Sequence, residues 1–174
     1  MPEGRPAIPA AMKRAVSEEA GYRCAIPTCK GTSALEFAHI VPWSTVQEHT
    51  FDNLILLCAV DHTRFDRGEI PAKSMRAFKD NLALLRGRYS DSERRILEAF
   101  AIQDVPPAPG FGLPIPGGTS YTMMYLKKDG LVTVHPNTGI SIGGLPPWEL
   151  VVLTEKGRAT VERMRNALLI EEAL

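Results

Sequence analysis

Two short pairs of side chains constrain this chain more than anything else in its sequence. Cys24 and Cys29 bracket a loop around Pro27, and Asp61 follows Cys58 by three positions. Paired ligands in two loops about thirty residues apart are what a tetrahedral zinc site needs, and the ion would tie the loops together where the core is small. Each residue also has a plainer reading. A buried cysteine is commonly a small hydrophobe, and aspartate is a good helix N-cap, which suits Asp61. His39 and Asn53 lie between the two pairs, and His62 stands directly after Asp61. A core histidine, a turn asparagine and a packing histidine are their plain readings. Threaded through two metal-binding loops, however, a His–Asn–His series is also what a one-metal phosphodiesterase needs.

The pattern around these residues places them on short elements. Residues 9–20 read as a helix with Met12, Val16 and Ala20 on one stripe, ended by Gly21. Residues 34–41 and 54–57 read as strands, 42–52 as a loop, and a helix is expected from Asp61 to Arg67 with Gly68 as its stop. Residues 73–86 carry Met75, Phe78, Leu82 and Leu85 on one face of a helix, and Ser90 or Ser92 caps another helix through Phe100. Residues 105–120 hold five prolines and four glycines, and no regular element is expected at that density. The expected organisation is therefore residues 1–104, a linker or loop at 105–120, and a module at 121–174 that takes in the 90–103 helix if the fold requires it.

The segments RCAIPTC, LEFAHIVPW, EHTFDNLILLC and DHTRFDRGEI resemble those of HNH (ββα-metal) endonucleases, in particular HNH effector domains of bacterial antiphage defence, over about residues 5–100. The resemblance implies an α+β fold, a ββα-metal nuclease domain with flanking helices. It implies hydrolysis of DNA phosphodiester bonds with Mg2+, or Mn2+ or Ni2+ in its place, and no small-molecule cofactor. It makes His39 the general base that activates water, Asn53 the residue that orients it, and His62 a ligand of the catalytic ion. Two departures stand out. Asp61 occupies the place of a second-knuckle cysteine, so structural Zn2+ would be held by Cys24, Cys29, Cys58 and Asp61. Ala38 occupies the place of an acidic ligand before the base. Glu36, two residues earlier on the same side of a strand, is a candidate substitute, and His49 another.

Residues 121–174 read as helix, strand, glycine-rich stretch 137–147, strand and a helix over 155–170 capped by Thr154, which resembles a winged-helix module. The formal net charge is zero, which speaks against a broad electrostatic grip on nucleic acid. Contacts to DNA would then be local, with Arg64, Arg67, Arg86 and Arg88 as candidates and Arg94 and Arg95 nearby. Trp43 reads as a core anchor. No apolar run reaches the roughly 18 residues of a membrane span, and no signal-peptide pattern opens the chain. A cytoplasmic protein is expected, with DNA as partner and either a homodimer or a defence-system protein as a second one. The competing reading is a zinc-knuckle and winged-helix regulator that binds without cutting.

Overall fold

The computed structural model describes residues 4–104, 106–137 and 143–174. The chain divides into two compact units, Met1–Ala83 and Leu84–Leu174. Helices and antiparallel sheets are mixed in it.

In the first unit, helix α1 (Ala10–Glu19) starts directly after Pro9. It stops before Gly21, whose φ of +65° is the left-handed turn that glycine adopts without a Cβ penalty. Its stripe buries Val16 and Ala20, with Met12 alongside, against Leu54 and Leu56. Strand β1 (Leu35–His39) pairs antiparallel with β2 (Leu54–Cys58), Leu35 opposite Cys58 and His39 opposite Leu54. All of β2 is buried, and each of its leucines and its isoleucine contributes about 1.5–3 kcal/mol on leaving water. This register positions the candidate residues. One end of β2 holds Cys58 beside the entry to β1, and the other end brings Asn53 beside His39 at the exit. Between the strands, the expected loop contains a short helix, α2 (Trp43–Val46), and a single 3-10 turn, Phe51–Asn53.

Helix α3 (Ala59–Asp66) follows β2 without a break and corrects the expected start at Asp61. The Cys58 sulfur accepts the Asp61 N–H at 3.5 Å and is the N-cap. Asp61 sits in the first turn instead, which leaves its carboxylate for other partners. Helix α4 (Ala72–Arg88) carries Lys79, whose ammonium lies 2.5 Å from Glu19 and 3.7 Å from the Phe51 ring centre. Both ions are almost wholly buried. Each needs the other, since stranding one charge of such a pair costs about 3–5 kcal/mol.

In the second unit, Ser90 caps helix α5 (Asp91–Ala101) in a reciprocal box with Glu93. Glu93 is 1 % exposed and does more than the box requires. One carboxylate oxygen accepts from the Ser90 N–H and hydroxyl at 2.9 and 2.8 Å. The other accepts from the N–H groups of Tyr125 and Leu126 at 2.7 and 3.1 Å. One side chain thus satisfies orphan donors at the start of both α5 and α6 (Met124–Lys128). A 3-10 turn, Ser120–Met123, leads into α6. Strands β3 (Gly112–Pro116), β4 (Val132–Pro136) and β5 (Trp148–Leu153) form an antiparallel sheet in the order β3-β5-β4.

Strand β3 corrects the expectation that residues 105–120 hold no regular element. It is an edge strand bonded to β5 alone, and an edge accepts prolines because one side of its backbone needs no ladder partner. Thr154 caps helix α7 (Glu155–Arg165), accepting the Gly157 N–H at 3.0 Å. A Cβ on Gly157 would lie 1.9 Å from the Leu131 carbonyl oxygen, so only glycine allows this close approach. The helix ends at Arg165 rather than 170. Ala167 turns left-handed, with φ +53°, and a 3-10 turn, Ile170–Ala173, follows. Leu97, Phe100, Leu126, Leu131, Val151 and Val161 are central in the core. The glycine-rich 137–147 stretch lies partly outside the described residues. No helix among the described residues is long and apolar enough to cross a membrane.

Candidate metal centre and active site

The two ligand pairs meet. Residues 24–31 fold against the end of β2, with the Ala25 N–H donating to Leu56 O at 2.8 Å and the Cys24 N–H to Gly31 O at 3.2 Å. This gathers the sulfurs of Cys24, Cys29 and Cys58 and an oxygen of Asp61 within 4.8 Å of one another. The thiols of Cys24 and Cys58 donate to the same Asp61 oxygen at 3.3 and 3.4 Å. Two sulfurs bound about 2.3 Å from a tetrahedral ion stand about 3.8 Å apart. The Cys29–Cys58 sulfur separation is 3.7 Å, and no disulfide joins them. Gly31 closes the loop, because a Cβ there would lie 3.0 Å from the Cys58 Cβ.

Burial opposes negative charge on two sulfurs of the cluster. Burial pushes the Cys24 thiol well above its ordinary value and Cys29 up to about 11, the latter helped by its hydrogen bond to Asp61. Burial alone would also raise the Asp61 carboxyl. Hydrogen bonds from Cys29, Cys24, Cys58 and Arg64 outweigh it and hold that group below the ordinary range. Arg64 reaches the outer Asp61 oxygen at 2.9 Å and Glu69 at 3.4 Å. It braces the cluster rather than projecting free.

The second constellation lies at the other end of β1. Asn53, buried, grips the backbone of Val41 at two points. Its Oδ1 accepts the Val41 N–H at 2.8 Å, and its Nδ2 donates to the Val41 carbonyl at 2.9 Å. The loop leaving His39 is thereby fixed two residues beyond the imidazole. His39 itself has Arg5 Nη2 at 2.8 Å from Nδ1 and His49 Nδ1 at 3.0 Å from Nε2. Burial, then the positive charge of Arg5 and then His49, lowers its pKa to about 4. Trp43 is half-buried rather than a core anchor, stacked 4.6 Å from the His49 ring and edge-on to His39 at 5.8 Å.

His62, on α3, meets Glu36 of β1, with 2.6 Å between Nδ1 and the carboxylate. A carboxylate accepts, so Nδ1 carries the hydrogen and, in the neutral ring, the lone pair falls on Nε2. That nitrogen is 3.8 Å from Asp66. Glu36 therefore orients His62 in the manner of a carboxylate behind a metal-binding histidine. His39, His62, Asp66, Trp43 and Arg5 line one cavity of about 580 Å³.

The sequence marks His39, Asn53, His62 and the four cluster residues as candidates, and the fold gathers the cluster residues together and sets His39 and His62 on one cavity. The sequence does not single out Arg5 or Asp66, which line that cavity too, or place His49 against His39. Asp66 carried a usable signal, since it lies four residues after His62 on one helix face. Arg5 carried none, standing in a lead-in without periodicity. Of the other candidate basic residues, Arg67 is exposed at the end of α3 and Arg86 is exposed on α4. Arg88 pairs with Asp129 at 2.7 Å, an oxygen it shares with the Tyr89 hydroxyl.

Residues 23–66 match the family model of HNH endonucleases, which points to nuclease activity in general. The matched stretch spans both ligand pairs together with His39, Asn53, His62 and Asp66. No curated protein and no solved structure matches the chain.

Proposed function

We propose that the first unit is a metal-dependent HNH (ββα-metal) endonuclease that hydrolyses phosphodiester bonds of DNA. The observation that carries this reading is that His39 and His62 line one cavity while Asn53 clamps the loop that leaves β1 after His39. A neutral His39 takes a proton from water. Asn53 keeps the direction of that imidazole constant. His62 and Asp66 offer the nitrogen and oxygen donors that would hold the catalytic ion, with Glu36 fixing the His62 ring. Mg2+ suits the carboxylate, and Mn2+ or Ni2+ suits the imidazole as well. Such an ion, when bound, stabilises charge on the scissile phosphate and leaving oxygen. Cys24, Cys29, Cys58 and Asp61 would hold Zn2+ as a structural ion, their spacing and soft donor set being the fit.

In the second unit, the order α5, β3, α6, β4, β5, α7 and the sheet order β3-β5-β4 support a winged-helix-like module. Its α6 is five residues long and carries Lys127 and Lys128. So short a helix offers little surface to a DNA groove, which favours a second copy or a partner protein as its ligand. Antiphage defence or restriction is the setting that the family resemblance suggests.

Nicking of supercoiled plasmid tests the enzyme reading. Wild-type protein nicks with Mg2+ or Mn2+ and not with chelator, and His39→Ala reduces the rate by about 10²–10⁴-fold. DNA binding without cleavage in every one of these ions would sink the proposal and favour a regulator.

A further inference from the structure

The hydrogen bonds around His39 have one consistent direction. Every guanidinium nitrogen donates, so His39 Nδ1, 2.8 Å from Arg5, is the acceptor. A carbonyl oxygen accepts, so His49 Nε2 carries the hydrogen it gives to Pro6 O at 2.9 Å. Neutral His49 then has its lone pair on Nδ1, which lies 3.0 Å from His39 Nε2. His39 Nε2 must therefore be N–H. A protonated His49 would leave His39 with two acceptor nitrogens, an imidazolate, which is out of reach near neutral pH. His39 is the Nε2–H tautomer, its lone pair is on Nδ1, and Arg5 covers it.

The segment that delivers Arg5 precedes α1 and is held at three points. Ile8 packs against the Val16–Leu54–Leu56 cluster. Pro6 O accepts from His49, and the Arg5 guanidinium lies 5.4 Å over the Trp43 ring. Among the described residues, Arg5 is also the one lysine or arginine that lines the cavity of His39 and His62. A phosphodiester entering that cavity finds in Arg5 a cationic partner for its oxygens. A guanidinium binds phosphate through two charge-assisted bonds, each roughly twice as strong as a neutral one. Phosphate therefore outcompetes an imidazole nitrogen for it.

We propose that Arg5 is a phosphate-operated gate on His39: in the free protein it covers the lone pair of the base, and a backbone phosphate of the nucleic acid draws it away. The inference rests on the nuclease reading above and deepens it. His49 is a positioning residue, keeping the hydrogen on Nε2 so that the uncovered lone pair stays on Nδ1. Neutralising Arg5 with phosphate also removes one of the charges that weaken His39 as a base, so the base strengthens as it is exposed. Water beside His39 is activated when substrate is present and not otherwise.

Imidazole nitrogen NMR of the full chain, without divalent ions, tests the gate apart from cleavage. In free wild type, His39 is the Nε2–H tautomer with Nδ1 shifted by an accepted hydrogen bond. Arg5→Ala moves Nδ1 to the position of an uncovered lone pair and leaves Nε2–H in place. A short DNA duplex does the same to wild type and adds nothing to the variant. Arg5 lies outside every helix and strand, so its removal leaves the core intact. In kinetics, Arg5→Ala raises KM for DNA about tenfold, the equivalent of about 1.4 kcal/mol. It raises kcat on bis(p-nitrophenyl) phosphate, whose single phosphate cannot both react and hold Arg5. A His39 spectrum unchanged by Arg5→Ala, or a fall in kcat on both substrates, overturns the gate. Cleavage with unresponsive His39 signals removes the gate and leaves the nuclease reading. Responsive signals without cleavage in any ion remove the nuclease reading and leave Arg5 as a phosphate-binding residue.

Discussion

Replacing Asn53 tests how the His39 end of the sheet is held. The residue is 7 % exposed and grips both polar groups of the Val41 peptide, at 2.8 and 2.9 Å. Asn53→Ala removes two hydrogen bonds, worth about 1 kcal/mol each, and leaves a backbone donor and acceptor to find water at a further cost of about 1–3 kcal/mol per group. Since the loop is partly solvated, a loss of about 2–4 kcal/mol is expected. Asn53→Asp is the sharper variant. It keeps the shape and the Val41 N–H bond, but sets a carboxylate oxygen against the Val41 carbonyl, acceptor against acceptor. At about pH 7 it should be at least as unstable as alanine. Below the ordinary carboxyl pKa of about 3.9 the O–H donor returns and the two variants should part, Asp becoming the more stable.

Urea unfolding of the three proteins, compared at equal m-values, gives these differences. Cleavage of plasmid by the same proteins reports on His39, because a misplacement of about 1 Å costs on the order of 100-fold in rate. The kcat should fall by about that factor in both variants while affinity for DNA holds. An Asn53→Ala protein within about 0.5 kcal/mol of wild type that still cuts at the parent rate would refute the clamp.

Three further outcomes follow from the same geometry. Purified protein should carry about one Zn2+ per chain, and Cys29→Ser should lose most of it along with thermal stability, since binding energy in such sites is folding energy; equal zinc content in both would contradict the four-ligand cluster. Glu93→Ala should cost about 3–5 kcal/mol, with Glu93→Gln intermediate, because the carboxylate caps two helices and Leu126 N–H is buried; a loss under about 1 kcal/mol in denaturant would contradict the shared cap. His39 has a depressed pKa in the fold, about 4 against 6.5, so the unfolded chain binds the extra proton between those values. Its contribution is complete above 6.5 and lost as pH falls toward 4. The stability difference between wild type and His39→Asn should shrink over that window, and a difference independent of pH would contradict the neutral, covered imidazole.

The legible part of this protein is the part written in local spacing. Thr154 announces the helix it caps, and Ser90 is one of two serines, with Ser92, that the sequence offers as the cap of α5, because a cap and its partner stand three residues apart. The chain also showed Cys24-x4-Cys29 and Cys58-x2-Asp61 as paired ligands, and His39, Asn53 and His62 as a series, since those signals are residue types at short intervals. Even there the fold revised details. Aspartate is the better cap by composition, yet Cys58 caps α3, because the strand delivers its sulfur to the Asp61 N–H and the cluster claims the Asp61 carboxylate. Prolines argued against any element in 105–120, yet pairing at a sheet edge needs only half of a strand's hydrogen bonds, and β3 forms there.

The sequence by itself marked the two ligand pairs and the His39, Asn53, His62 series as candidates, and showed the order of the strands and helix around them and where most helices begin. Only the tertiary structure decided who faces whom. Arg5 reaches His39 across 34 residues, and Glu36 reaches His62 across 26. No periodicity encodes contacts of that span, which exist because packing of α1 and Ile8 on β2 and the antiparallel register of β1 and β2 bring distant backbone together. Propensities and caps act over one turn of chain. The state of His39, covered or free, is set by neighbours that only the folded core can deliver.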